Sequence, residues 1–127
     1  MSYKPPAYQH YAKDFLAGTA DMSCAEAGAY IRLLDHAWDG NPICTLPDND
    51  DKLRRMAGAD KDEWETIKLA VLPKFRKIEV DGYGARLVND RLNEYFKELA
   101  EHHEAMSERG KKGAAARHGK KTDEDDG

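Results

Sequence analysis

Apolar positions along the chain fall into blocks with different repeats. Behind Ser23, the residues Ala27, Tyr30, Ile31, Leu34, Ala37 and Trp38 recur at steps of three and four, and Leu33 widens the stripe. That repeat places side chains on one face of an α-helix. Ser23 followed by Glu26 forms a capping box, in which each side chain satisfies an amide of the first turn. Gly40 and Pro42 stop the helix. Upstream, "YQHYAKDFLAGTADM" sustains no helical period and predicts extended or irregular chain. Downstream, a short extended piece spans Ile43 to Leu46. Asn49 or Asp50 then starts a helix through Leu53, Met56 and Ala57 that Gly58 ends. Asp60 and Glu63 repeat the capping pattern ahead of Trp64, Ile67, Val71 and Leu72, and Pro73 terminates that stripe. Two short helices joined by "GAD" have helix-turn-helix spacing.

The next block, "FRKIEVDGYGARLV", predicts a strand, a two-residue Asp81-Gly82 turn and a second strand. Its faces are mixed: Phe75, Lys77 and Glu79 alternate with Arg76, Ile78 and Val80. Asn89 or Asp90 opens a long helix from about residue 91 to about residue 109. Leu92, Tyr95, Leu99, His102 and Met106 form a heptad-like seam along it, with Phe96 and His103 beside it. Helix, small strand, helix-turn-helix, hairpin, helix is the order of a winged helix. The fold expected is therefore mainly α with a small β-hairpin: a winged-helix-like single domain over 1–108 with a long C-terminal helix. Residues 109–127 follow as a flexible tail, basic and then acidic, because Gly110, Gly113 and Gly119 weaken helix there. The expected core is Tyr30, Ile31, Leu34, Trp38, Leu53, Trp64, Ile67, Phe75 and Leu92. The seam past Leu99 is longer than one small domain covers, so Leu99, His102 and Met106 are expected to serve as a homodimer or partner interface.

Composition narrows the class. A chain of 127 residues supports one modest core, and 40% hydrophobic residues exclude wholesale disorder. No apolar run approaches a membrane span, and "MSYKPPAYQHY" lacks the apolar stretch of a secretory signal. A cytoplasmic protein, away from membranes, is expected. Cys24 and Cys44 lack the C-x-x-C spacing and read as free thiols packed as small apolar residues, a disulfide being the lesser alternative.

Charge is unevenly distributed. Residues 1–108 hold 14 basic against 20 acidic residues, a net of −6, whereas 109–127 hold 6 against 4, a net of +2. The second helix of the helix-turn-helix carries Asp62, Glu63 and Glu65 against Lys61 and Lys68. Groove-reading helices need phosphate-tolerant surfaces, so this acidity argues against conventional major-groove readout. The hairpin is basic, with Lys74, Arg76, Lys77 and Arg86 available for a phosphate backbone. A solvated edge guarded by Lys and Arg is the plainer reading of the same residues. In the tail, Arg109, Lys111, Lys112, Arg117, Lys120 and Lys121 are interleaved with Gly and Ala and with no aromatic residue. That supports weak, nonspecific, salt-dependent DNA binding without base stacking.

No phosphate-loop, dinucleotide-binding, nucleophile-elbow or zinc-protease motif occurs. In "EHHEAM" the adjacent residues Glu101, His102, His103 and Glu104 point in different directions on a helix, and Glu98–His102 has a spacing that many solvated faces share. The carboxylates cluster at helix starts, where the helix dipole favours them. No catalytic residue, metal site or cofactor is therefore expected, and the chain does not read as an enzyme.

The stretch "KDFLAGTADMSCAEAGAYIRLLDHAW" carries Asp14, Phe15, Leu16, Thr19, Ser23, Glu26, Gly28, Tyr30, Leu33, Leu34 and Trp38. With Pro42, Leu46, Pro47, Trp64, "NDRLNEY" and the closing "RGKKGAAARHG", it resembles the YdaU-type prophage domain from about Tyr8 to Gly119. The resemblance implies a phage or prophage origin, and with it the cytoplasm of a bacterial host cell, and a winged-helix-like domain tied to DNA replication. Replication members of that family continue into a second domain that engages the helicase or its loader. Here an acidic stub follows instead, which implies an accessory protein rather than a complete initiator. Cys24 stands where a polar residue is expected and implies partial burial. The function expected is a nucleic-acid-associated module of phage replication, with DNA and a host or phage replication protein as partners. The alternative is a protein-interaction module, an inhibitor or adaptor of a host complex, working through the acidic body and the C-terminal helix.

Overall fold

The computed structural model describes residues 4–122, with side chains as far as Arg109. Five α-helices and a small antiparallel sheet follow in the order α1 (Ala12–Gly18), α2 (Cys24–Trp38), β1 (Thr45–Pro47), α3 (Asp50–Ala57), α4 (Lys61–Val71), β2 (Arg76–Val80), β3 (Gly84–Val88) and α5 (Asp90–Thr122). A short 3₁₀ turn, Leu72–Lys74, joins α4 to β2. Of the described residues, those up to Phe96 form one compact body, and the chain from Lys97 belongs to a second unit.

Local chemistry accounts for most boundaries. Ser23 Oγ accepts from the Glu26 amide at 3.1 Å while Glu26 Oε1 accepts from the Ser23 amide at 2.9 Å. Asp60 and Glu63 make the same reciprocal pair at the start of α4. Asn49 caps α3, and Gly58 ends it in the left-handed conformation at φ 77°. Asn89 Oδ1 accepts from the Leu92 amide and so caps α5.

Strand order in the sheet is β1-β3-β2, both pairings antiparallel. Thr45 faces Val88 across β1–β3, and Ile78 faces Arg86 across β2–β3. The core between sheet and helices is centred on Leu33, Leu46, Leu53, Trp64, Val71 and Leu92, all essentially without exposure.

Five expectations change. Residues 12–18, expected to be irregular, form α1, which Phe15 anchors by stacking on Tyr30 at 6.0 Å; seven residues are too few to display a period. The hairpin loop has three residues, Asp81–Tyr83, because Val80 pairs with Gly84. Only Gly82 and Gly84 take positive φ there, whereas a two-residue turn of the expected kind needs positive φ at Asp81 as well. The inner face of α2 centres on Ala29, Leu33 and Ala37, toward α3 and α4, which leaves Ile31 half-buried, as Phe75 is. Cys24 is exposed on the first turn of α2; Cys44 is buried, and both thiols are free. Finally, α5 continues to Thr122, past the residue-109 boundary expected for it. The Ala114–Arg117 run supplies strong helix formers there.

Candidate functional site

The basic hairpin is positioned by β2 and β3, and its cations already have work within the chain. Arg76 donates to both oxygens of Asp90, from Nη2 to Oδ1 at 2.8 Å and from Nε to Oδ2 at 3.3 Å. This fork ties the start of β2 to the first turn of α5. Lys77 Nζ lies 3.0 Å from Asp48 Oδ2. Arg86 donates from Nε to Thr45 Oγ1 at 3.0 Å and from Nη2 to the Thr45 carbonyl at 3.4 Å. Lys74 is exposed, and its ammonium is the one of the four without a partner among the described residues. Its carbonyl accepts from Asn89 Nδ2 at 3.0 Å. The structure therefore brings the four predicted hairpin residues to one sheet region, three of them in contacts that a phosphate would have to share.

Chemistry on α4 is acidic. Asp62, Glu63 and Glu65 are exposed near its start, and Lys68 is held between Asp50 (3.4 Å) and Glu65 (3.2 Å). Hydrogen bonding to Glu65 first, and the charges of Asp50 and Glu65 after it, raise the Lys68 pKa above its usual value. Trp64, with 1% exposure, donates its indole N–H to Asp50 at 2.9 Å, so the acid at the start of α3 also locks α4 in place. Leu69, 73% exposed, stands on the outer side.

Of the C-terminal predictions, Leu99 is half-buried, while His102, Met106 and Arg109 are exposed. Lys111, Lys112, Arg117, Lys120 and Lys121 lie on helical backbone, and their side chains lie outside the described residues. Among the described residues no cluster of three or more His, Cys, Asp and Glu is placed to hold a metal ion. No helix among them is long and apolar enough to cross a membrane.

Sequence reasoning missed the role of residues 4–11. This segment crosses α2, where the Trp38 indole N–H donates to the buried Pro5 carbonyl at 2.9 Å and the Tyr8 ring packs on Trp38 at 4.9 Å. Tyr8 O–H donates to Asp35 at 2.7 Å. Burial, and then that bond, push the Tyr8 phenol well above its usual pKa. Tyr11 packs on Tyr95 at 4.6 Å, and Tyr95 donates to Asp14 at 2.9 Å. A groove of about 690 Å³ opens beside the segment, between Pro6, His10, Ile31 and Asp39. The pairing of two prolines with three tyrosines in eleven residues was the available signal.

Residues 6–97 match the family described as a protein of unknown function, DUF1376. The chain belongs to the DUF1376 family. No curated protein and no solved structure matches it. The DUF1376 match takes in the hairpin, α4 and most of the segment over α2, and it ends at Lys97. The basic run from Arg109 lies beyond it, although the sequence resemblance extended to Gly119.

Proposed function

We propose that this DUF1376 protein is a phage-encoded accessory protein of DNA replication, a winged-helix-like body that associates with DNA through the basic run 109–121. Supporting the winged-helix reading is the order α2-β1-α3-α4-β2-β3 with β1 against β3. The observation that carries the DNA reading is the division of charge. Within the body the hairpin cations Arg76, Lys77 and Arg86 are already bonded to Asp90, Asp48 and Thr45. Residues 109–121 hold six cations and no acid. Binding of this kind is weak, without sequence preference, and driven by release of counterions. The prophage origin rests on the sequence resemblance.

The test is fluorescence anisotropy with short single- and double-stranded DNA. If all six cations meet phosphates, affinity falls about a thousandfold between 50 and 200 mM salt. Deleting 109–127 abolishes binding with folding intact, and deleting only the acidic residues 123–127 strengthens it. Unchanged binding after the longer deletion defeats the reading and moves attention to Lys74 and its hairpin neighbours.

One observation favours the second reading, a protein-interaction module. The outer side of α4 sets the exposed Leu69 beside Asp62 and Glu65, carboxylates that repel phosphates rather than attract them. Salt-insensitive, nuclease-insensitive capture of a protein, lost in Leu69→Ala, would favour it.

A further inference from the structure

We propose that two copies of this chain pair through the open edge of β2, antiparallel, about a two-fold axis at Ile78. In the sheet order β1-β3-β2, one side of β2 bonds to β3 and the other has no strand beside it among the described residues. The Val80 carbonyl accepts from the Tyr83 amide at 2.9 Å and so points toward the hairpin interior. Backbone groups alternate sides along a strand, so those of Arg76, Ile78 and Val80 face β3, while those of Lys77 and Glu79 face outward. Neither residue's backbone has a partner on that outer side among the described residues.

Three two-fold registers bring those outward groups together, and side-chain charge separates them. An axis at Lys77 sets Lys77 against its own copy, and an axis at Glu79 does the same for two carboxylates. With the axis at Ile78, each Lys77 lies opposite the other copy's Glu79, twice by symmetry. Lys77 and Glu79 then exchange both backbone hydrogen bonds at each pair, four in all. Glu79 is exposed and has no partner among the described residues, whereas Lys77 meets Asp48 on the same face. Pairing therefore sets the ammonium between two carboxylates. On the opposite face, Ile78 and Val80 are only half-buried. At the axis the two Ile78 side chains form the close, non-hydrogen-bonded pair and cover each other. Lys and Arg usually guard an edge by repelling a second copy. In "RKIEV" the guard is self-complementary, which turns it into a register mark.

The experiment is disulfide trapping on the full chain in a Cys24→Ser background, because Cys24 is exposed. Ile78→Cys sets two thiols across the axis at about 4.5 Å between Cα atoms, within disulfide reach. Lys77→Cys or Glu79→Cys sets its own copy at a diagonal of about 7–8 Å, at or beyond that reach. Mild oxidation is expected to link Ile78→Cys chains at least about tenfold faster than either neighbour. In sedimentation of chains without added cysteines, Lys77→Glu and Glu79→Lys are each expected to weaken the dimer by roughly tenfold, since each creates two like-charge pairs. The double exchange Lys77→Glu with Glu79→Lys restores it, which a contact elsewhere in the chain would not do. Trapping fastest at 77 or 79, no trapping at any of the three in folded protein, or a double variant as weak as the singles overturns the proposal. The edge would then be left for an extended segment of another protein.

Discussion

Replacing Trp38 with alanine is expected to cost the body about 3–5 kcal/mol. The indole is 95% removed from solvent (5% exposed), packed between Tyr8 and Phe96, and bonded through its N–H to the Pro5 carbonyl. Burying about 200 Å² of aromatic surface at about 25 cal/mol/Å² corresponds to about 5 kcal/mol, an upper figure because real unfolded chains hide part of that area. Domains of this size hold about 5–15 kcal/mol in total, so the variant retains a small margin or unfolds at room temperature. Trp38→Phe separates the terms: it keeps a ring in the site but strands the buried Pro5 carbonyl, a loss of about 1–3 kcal/mol. Urea unfolding followed by circular dichroism measures both. Trp64, the other tryptophan, gives an independent fluorescence signal from α4. Alanine and phenylalanine variants that both unfold at the wild-type midpoint would show that neither the ring nor its hydrogen bond holds residues 4–11 against α2, and the packing argument would fail.

Two smaller perturbations test other parts of the fold. Ser23→Ala frees the Glu26 amide at the start of α2 and is expected to lower stability by about 1 kcal/mol in thermal or urea unfolding; no change would mean the capping box contributes nothing. Alkaline pH probes burial: Cys44 is pushed up to about 12 by burial, and Tyr95 to about 12 by burial and then by its bond to Asp14. Both folded values lie above the unfolded ones, so their stabilisation is complete below about pH 8.5 and drains away as pH rises toward 12. Cys44→Ala should flatten the first part of that decline, and equal urea midpoints at pH 8 and pH 11 would contradict it.

What the sequence displayed was local, and what it concealed was distant. Capping boxes at Ser23 and Asp60, the left-handed Gly58 and the Asn89 cap each depend on residues within one turn, so their patterns were readable. The pairing of Arg76 with Asp90, of Lys77 with Asp48 and of Arg86 with Thr45 depends on how β1 and α5 meet the hairpin, which no spacing displays. Four cations that looked equally available for phosphate therefore turned out unequal. Ile31 and Leu33 were both visible as apolar; which of them faced inward was decided by where α3 and α4 lie. The segment over α2 was hidden for the same reason, since its partners Trp38 and Tyr95 stand roughly 30 and 80 positions along the chain.

That last separation sets a timetable for biosynthesis. Tyr11 leaves the ribosome long before Tyr95, the ring it packs on, and Asp14 long before the phenol that bonds to it. At about 5–20 residues per second, roughly 80 residues take about 4–16 seconds. Throughout that interval Tyr11 lacks the ring it packs on, and Trp38, on which Tyr8 packs, lacks Phe96. A nascent chain of this design completes its body only after the start of α5 has been made, so its early aromatic residues are the ones a chaperone would meet first.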